Sequence, residues 1–203
     1  MNEWGFIVAA YLLGSISFGI VVSKLFGLPD PRTVGSGNPG ATNVMRSGKK
    51  SAAVLTLLGD AGKGWLAVWL AQYYGLSQGW VCTVALAVFA GHLYPVFYGF
   101  KGGKGVATAA GILLAISPWL GLSVLATWAL AFFMWRVSSL AALIASGFAP
   151  VYAVAFFGFN LVTGTVLVLS VLLVWRHRTN ILKLLNGTEA GFCKPKAGDQ
   201  PPQ

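Results

Sequence analysis

Seven apolar runs follow one another along this chain, separated only by short polar breaks. A helix that crosses a bilayer takes roughly 17–25 mostly apolar residues. The runs lie near 4–26, 52–74, 80–98, 105–117, 119–135, 140–158 and 161–176. Region 105–135 could hold two short helices or one long kinked helix. Pro118 in "ISPWLG" disfavours helix at the residue before it, so two are predicted. Charged residues make up 9% of the chain, against about 25% in soluble domains. The expected fold class is therefore all-α, a polytopic integral membrane protein with seven transmembrane helices. One transmembrane domain is expected over 1–190, with 191–203 as a flexible cytoplasmic tail. The first run lacks the positive flank of a signal peptide and is too long for its apolar core, so it reads as a retained span.

The charges orient this bundle. With seven spans, the loops at 27–51, 99–104 and 136–139 and the tail after 176 share one side. All 14 Lys and Arg fall there or near it, with Lys24 and Lys63 read as lying near span ends. The opposite connections, "YGLSQGW", "ISPWLG" and "FGFNLV", carry no charge. The positive-inside rule then puts the N-terminus outside and the C-terminus in the cytoplasm. A net charge of +9 could suggest nucleic acid as a partner. The short loops offer no soluble module for it, so no nucleic acid is expected.

Three polar clusters share the cytoplasmic face: "TVGSGNPGATNVMRSGKK" (33–50), "GHLYPVFYGFKGGKGVAT" (91–108) and "WRHRTNILKLLNGTE" (175–189). In the first, successive backbone N–H groups of such a Gly-rich loop can point inward and cradle an anion. Ser36, Asn38, Thr42 and Asn43 can add bonds, and Arg46 offers a planar fork suited to phosphate. The loop reads equally well as a turn with a basic patch that touches anionic membrane lipid. It lacks the Gly-Lys-Ser/Thr ending of a nucleotide loop. In the second cluster, Lys101 and Lys104 flank Gly102 and Gly103, and Gly105 opens the next span. Glycine allows close backbone approach to a ligand, though small residues also serve helix packing. In the third, His177 and Asn180 share a face if the helix continues. Arg176 and Arg178 point elsewhere on that reading, as an interfacial anchor.

Only 5 acidic residues are present, and Asp60 alone lies within a span, where it can neutralise Lys63. No carboxylate pair suits magnesium and no His/Cys cluster suits zinc, so no metal and no cofactor are expected. Cys82 and Cys193 imply no disulfide framework. His92, inside the third span, reads first as a polar group bonded between helices.

In order and spacing, "GSGNPGATNVMR", "GHLYPVFYGFKGGKGVAT" and "RHRTNILKLLNGTE" resemble the three cytoplasmic motifs of the bacterial membrane acyl-phosphate:glycerol-3-phosphate acyltransferase family, the PlsY type. The resemblance covers about residues 4–190. It implies an inner-membrane enzyme, active on its cytoplasmic face, that moves a fatty acyl group from acyl-phosphate to the 1-hydroxyl of glycerol 3-phosphate. It also implies lysophosphatidic acid and phosphate as products, no metal, and an acyl-phosphate synthase as a transient partner. Carried over residue by residue, Gly37, Asn38 and Gly40 would meet the acyl-phosphate through loop N–H groups. Ser36, Arg46 and Lys104 would grip glycerol 3-phosphate, and His177 and Asn180 would orient it. Thr42, Asn43, Lys101, Gly102, Gly103 and Gly105 complete the expected binding set. A transporter of a phosphorylated metabolite is the alternative, but such proteins usually bind near the bilayer midplane between repeats. No duplicated half is visible in this chain.

Overall fold

A computed structural model describes residues 2–191, and these form helices and turns only. The expected tail, from residue 192 on, lies outside the described residues, as does Cys193. Ten α-helices run in chain order: α1 (Glu3–Gly14), α2 (Phe18–Leu25), α3 (Ala41–Met45), α4 (Lys50–Tyr73), α5 (Gln78–Leu93), α6 (Val106–Ile116), α7 (Pro118–Trp135), α8 (Ser138–Phe157), α9 (Leu161–Arg176) and α10 (Arg178–Leu185). A 3₁₀ turn at Val96–Tyr98 follows α5.

Local chemistry explains the breaks. The first apolar run is two helices, bent by 45° between α1 and α2. Ser15 Oγ donates to the Tyr11 carbonyl and accepts from the Val96 N–H. Such side-chain bonds compete with the helix ladder. The break predicted at Pro118 is present, with Pro118 at the start of α7 and Ser117 Oγ capping the Leu120 N–H. Proline suits a first helical position because its missing N–H would find no partner there. The last run also breaks, with α10 turning 59° from α9 at His177.

Helices α1 and α5 cross on glycines: a side chain on Gly14 would collide with the Val88 backbone, and one on Gly91 with that of Tyr11. Small residues of this kind let backbones approach where lipid removes the hydrophobic drive. One core joins α1, α4, α5, α6 and α9 through Phe6, Val68, Phe89, Ile112 and Leu169. A second joins α5 to α9 through Leu113, Leu120, Val124, Ala153 and Val166. Large apolar side chains elsewhere face outward, among them Leu57, Leu58, Trp65 and Trp69 on α4. A helix that is apolar all round belongs in a membrane.

Four helices are long and apolar enough to cross, or up to six if each bent pair forms one span. Segment α6 is shorter, 11 residues, or about 16 Å at 1.5 Å per residue. That is roughly half of a hydrocarbon core. Each of the seven apolar runs is thus helical, but length alone supports four to six crossings. Lys63 lies midway along α4, not near a span end as expected, and is buried.

Candidate active site

The chain folds so that its three polar clusters meet. Loop 27–40 is closed by Asn43, which is buried on α3. Its amide donates to the carbonyls of Pro31 (2.7 Å) and Val34 (3.0 Å), and its oxygen accepts from the Ser36 N–H (2.9 Å). The expected ligand role of Asn43 therefore becomes one of shaping: both of its N–H groups are engaged by the loop. The Gly37 N–H donates to Val34 and the Gly40 N–H to Asn38. These two glycines turn the chain while their donors stay within the loop. That differs from the expected anion cradle, and the reason is that a tight turn satisfies its own backbone. Ser36 and Arg46 are exposed, and Thr42 and the Asn38 side chain are half-buried.

This loop rests on the second. The Arg32 guanidinium, held by Asp30 in a bidentate pair, lies 5.7 Å over the Tyr98 ring. The second loop is pressed against the end of α5. The Gly103 N–H donates to the His92 carbonyl at 3.2 Å. A side chain on Gly102 or Gly103 would strike His92, and Gly105, at φ 88°, packs on the Phe89 ring. Ligand approach and close packing are both open for these glycines from the sequence, and the structure packs them closely under the loop. Lys101 is exposed.

Arg176 belongs here too. Its guanidinium donates to the carbonyls of Gly103 (3.1 Å) and Gly102 (2.8 Å). It was expected to point away as an anchor. It is the last residue of α9, and the end of that helix brings it against the loop.

Lys104 Nζ donates to Asn180 Oδ1. Asn180 in turn donates to Glu189 Oε1 at 2.6 Å, and Ser139 Oγ donates to the same oxygen at 2.7 Å. The lysine is thus aimed by a chain of bonds that ends on α8. Glu189 and Ser139 were absent from the expected site. The motif "NGTE" hinted at the first, but nothing in the sequence marks Ser139. Burial lowers the Lys104 pKa to about 8, helped by the nearby positive charges of Lys183, Arg176 and Arg46 and opposed by Glu189. The influence of Arg46 on Lys104 ties the first cluster to the second, and that of Lys183 ties in the third.

His177, just past the end of α9, is buried, with Nδ1 2.8 Å from the Leu173 carbonyl. A carbonyl can only accept, so Nδ1 carries the proton and Nε2 keeps its lone pair. Burial lowers its pKa to about 4 against that backbone bond, and the Lys104 charge lowers it further. At neutral pH the ring is uncharged, a hydrogen-bonding fixture beside a cluster of cations. His177 is the N-cap residue of α10 and Asn180 lies in its first turn, so the helix break precedes both.

A small apolar cavity of about 50 Å³ lies between α6, α7, α8 and α9. Its wall includes Val106, Leu113, Trp128, Ala149, Val166 and Leu173. Val106 follows Lys104 by two residues, and the Leu173 carbonyl is the one His177 bonds. Two residues of the cavity wall thus lie close to Lys104 and His177. Among the described residues, no three His, Cys, Asp or Glu side chains gather as a metal would require.

The chain as a whole is similar to known proteins. Residues 4–187 fit the family described as "Glycerol-3-phosphate acyltransferase". A relative of that name from Methylobacillus flagellatus is 68% identical over 197 residues, covering 96% of this chain and 99% of its own. Another from Ralstonia nicotianae is 62% identical and covers 94% of each. The crystal structure of PlsY (YgiH), an integral membrane glycerol 3-phosphate acyltransferase, in its glycerol 3-phosphate form superposes with a TM-score of 0.89 at 41% identity, covering 94% of this chain and 96% of that one. Its lysophosphatidic acid form gives 0.88 at 39% identity, covering 94% and 95%. With nearly its whole length matched, the chain belongs to the glycerol-3-phosphate acyltransferase family, a family with integral membrane members.

Proposed function

We propose that this protein transfers a fatty acyl group from acyl-phosphate to the 1-hydroxyl of sn-glycerol 3-phosphate, giving lysophosphatidic acid and phosphate. The observation that carries this reading is Lys104, bonded to Asn180 and within the field of Arg46 and Arg176, with an apolar cavity wall that begins two residues on at Val106. One substrate needs cations for phosphate, and the other needs both cations and a dry groove for its chain. Solved relatives hold glycerol 3-phosphate and lysophosphatidic acid, in keeping with this reading. The proposed setting is the bacterial inner membrane, with all seven runs crossing, α6 included, the N-terminus outside and the site in the cytoplasm. The catalytic domain is 1–190, and a transient acyl-phosphate synthase would supply the donor.

In the reaction, the glycerol O1 forms a bond to the acyl carbon as the bond from that carbon to the phosphate oxygen breaks. The leaving phosphate is a good one, so no covalent enzyme nucleophile is required. Orientation alone can supply ~7–11 kcal/mol. Ser36, Arg46 and Lys104 hold the phosphate of glycerol 3-phosphate, and Asn180 and Glu189 keep the Lys104 ammonium in place. Asn38 and Thr42 place the acyl-phosphate head, and Gly37 and Gly40 turn the loop that carries them. Lys101 adds field at the rim, and Asn43, Gly102, Gly103 and Gly105 keep the loops in shape. His177 Nε2 offers glycerol 3-phosphate an acceptor that holds it in place. With its pKa near about 4 the ring takes a proton poorly, whereas a phosphate has a second pKa of ~6. The proton therefore passes to a substrate phosphate, and His177 orients.

Purified protein given palmitoyl-phosphate and glycerol 3-phosphate, with EDTA present, should form lysophosphatidic acid. If none forms, or if sealed vesicles take up glycerol 3-phosphate without acylating it, the transporter reading replaces this one.

The cavity sets the next expectation. Ala149 lies on its wall, 11 residues past the start of α8 at Ser138 (149 − 138), which is about 16 Å along the helix. Ala149→Phe should shift preference from palmitoyl toward decanoyl donor by at least tenfold in the ratio of kcat/KM, roughly the worth of one or two misfit methylenes. Competition between the two donors, read by mass spectrometry of the product, measures it. An unchanged ratio removes the chain from this cavity.

Protonation gives another expectation. For glycerol 3-phosphate, kcat/KM should rise through ~pH 6 as the substrate phosphate becomes a dianion. It should then fall as Lys104 loses its charge above about 8. Lys104→Arg should flatten the alkaline fall, and an alkaline limb that survives that change belongs to another group.

A further inference from the structure

A buried polar group on α4 and α5 has no part in the chemistry above. Asp60, Lys63 and His92 are each at most 6% exposed. Lys63 Nζ lies 2.8 Å from Asp60 Oδ1, and His92 Nδ1 lies 3.5 Å from the same oxygen. Ionisable residues inside a membrane are costly and call for a reason. A buried ion pair gives little stability over apolar packing, so stability is a weak one.

Its outer contacts supply a better reason. Lys63 Nζ also donates to the Ile16 carbonyl at 2.6 Å, in the break between α1 and α2. Helix ends leave carbonyls without partners, and this ammonium satisfies one. Beyond the break, α2 carries the first phosphate loop: Gly19 has no room for a side chain because the Pro39 backbone sits on it. Val22 on α2 packs with Val44 of α3 and Ala52 and Ala53 of α4. At the other end, the His92 carbonyl accepts from the Gly103 N–H, and the His92 ring lies where a Gly103 side chain would be. Gly103 adjoins Lys104 and is gripped from the far side by Arg176.

We infer that Asp60, Lys63 and His92 form a buried polar tie that fixes the separation between the loop bearing Ser36 and Arg46 and the loop bearing Lys104. They are positioning residues. Each loop can hold phosphate by itself, but the hydroxyl of one substrate meets the carbonyl of the other only if the loops keep their spacing. The catalytic half of this inference rests on the acyl-transfer reading; the spacing half does not.

Two variants and two readouts test it. Asp60→Asn combined with Lys63→Met removes both charges together, so no unpaired ion is left behind. His92→Gln keeps a polar end for Asp60 and removes the ring beneath Gly103. In detergent-purified protein that elutes as a folded species, each should lower kcat about tenfold or more, since misplacement by 1 Å can cost 10²-fold. KM for glycerol 3-phosphate should change far less. In a Cys193→Ser background, nitroxide labels at residues 34 and 101, both exposed, report the loop separation by pulsed electron resonance. The narrow distance distribution of the parent should broaden or shift in both variants. Wild-type kcat in either folded variant overturns the inference, and so does an unchanged distance distribution. Should the parent protein itself fail to acylate glycerol 3-phosphate, the functional reading falls, and the label distances still decide the tie.

Discussion

Lys104→Ala is expected to lower kcat/KM for glycerol 3-phosphate by about 10²–10³-fold, the scale seen when one preorganised donor to developing charge is removed. The lysine is half-buried and loaded with neighbouring positive charge, which is why its pKa is lowered to about 8. A cation held in that state gains strongly when a phosphate arrives, because the anion relieves both its desolvation and its repulsions. The fold should survive. Asn180 Oδ1 loses its donor, a cost of about 1–3 kcal/mol at most, while the rest of the network through Glu189 and Ser139 remains. Arg46→Ala should lose less, about tenfold, because Arg46 is exposed and its interaction is screened. Steady-state kinetics on both variants, with thermal melting in detergent as the control, decide the matter. Turnover within threefold of the parent in both would remove the phosphate clamp.

His177→Ala should lower kcat by about 10²–10³-fold, within the range found for groups that act on a proton or orient its donor. What separates the two roles is the pH profile. Burial holds the ring neutral, with a pKa of about 4, so its charge does not change between pH 6 and 8. Removing it should scale the profile down without altering its shape there. His177→Gln should recover part of the loss, since an amide can donate to the Leu173 carbonyl and still present an acceptor. If His177→Gln is as inactive as the alanine variant and the acid limb disappears, the imidazole takes the proton after all. The same pKa has a consequence for stability. The native state resists protonation that the unfolded chain accepts near 6.5, so the folded form is favoured above that value. It loses this advantage as pH falls toward about 4.

The membrane class was legible because lipid imposes one rule on every span: few charges and a fully bonded backbone. Seven apolar runs, and a break at Pro118, could be read from that rule and from the fixed geometry of proline. The other breaks could not. Ser15 ends α1 by bonding backward to Tyr11 and outward to Val96, 81 residues along the chain. Ser123 makes the same backward bond inside α7, to the Trp119 carbonyl, without breaking it. Whether a serine bends a helix depends on what the neighbouring element offers it.

Ser36, Arg46, Lys104, His177 and Asn180 stood out because polar and charged groups are rare enough in this chain for each cluster to be visible. The sequence alone determined an all-helical membrane chain with its cations gathered in three motifs, since burial in lipid leaves a pattern that composition and order carry by themselves. Only the tertiary structure decided which groups face a ligand and which hold the scaffold. Asn43 turned inward to close its loop, Arg176 came round to clasp Gly102 and Gly103, and Ser139 with Glu189 aimed Lys104. Hydrogen bonds act over about 3 Å, and neighbours at that range come from residues far apart in the chain.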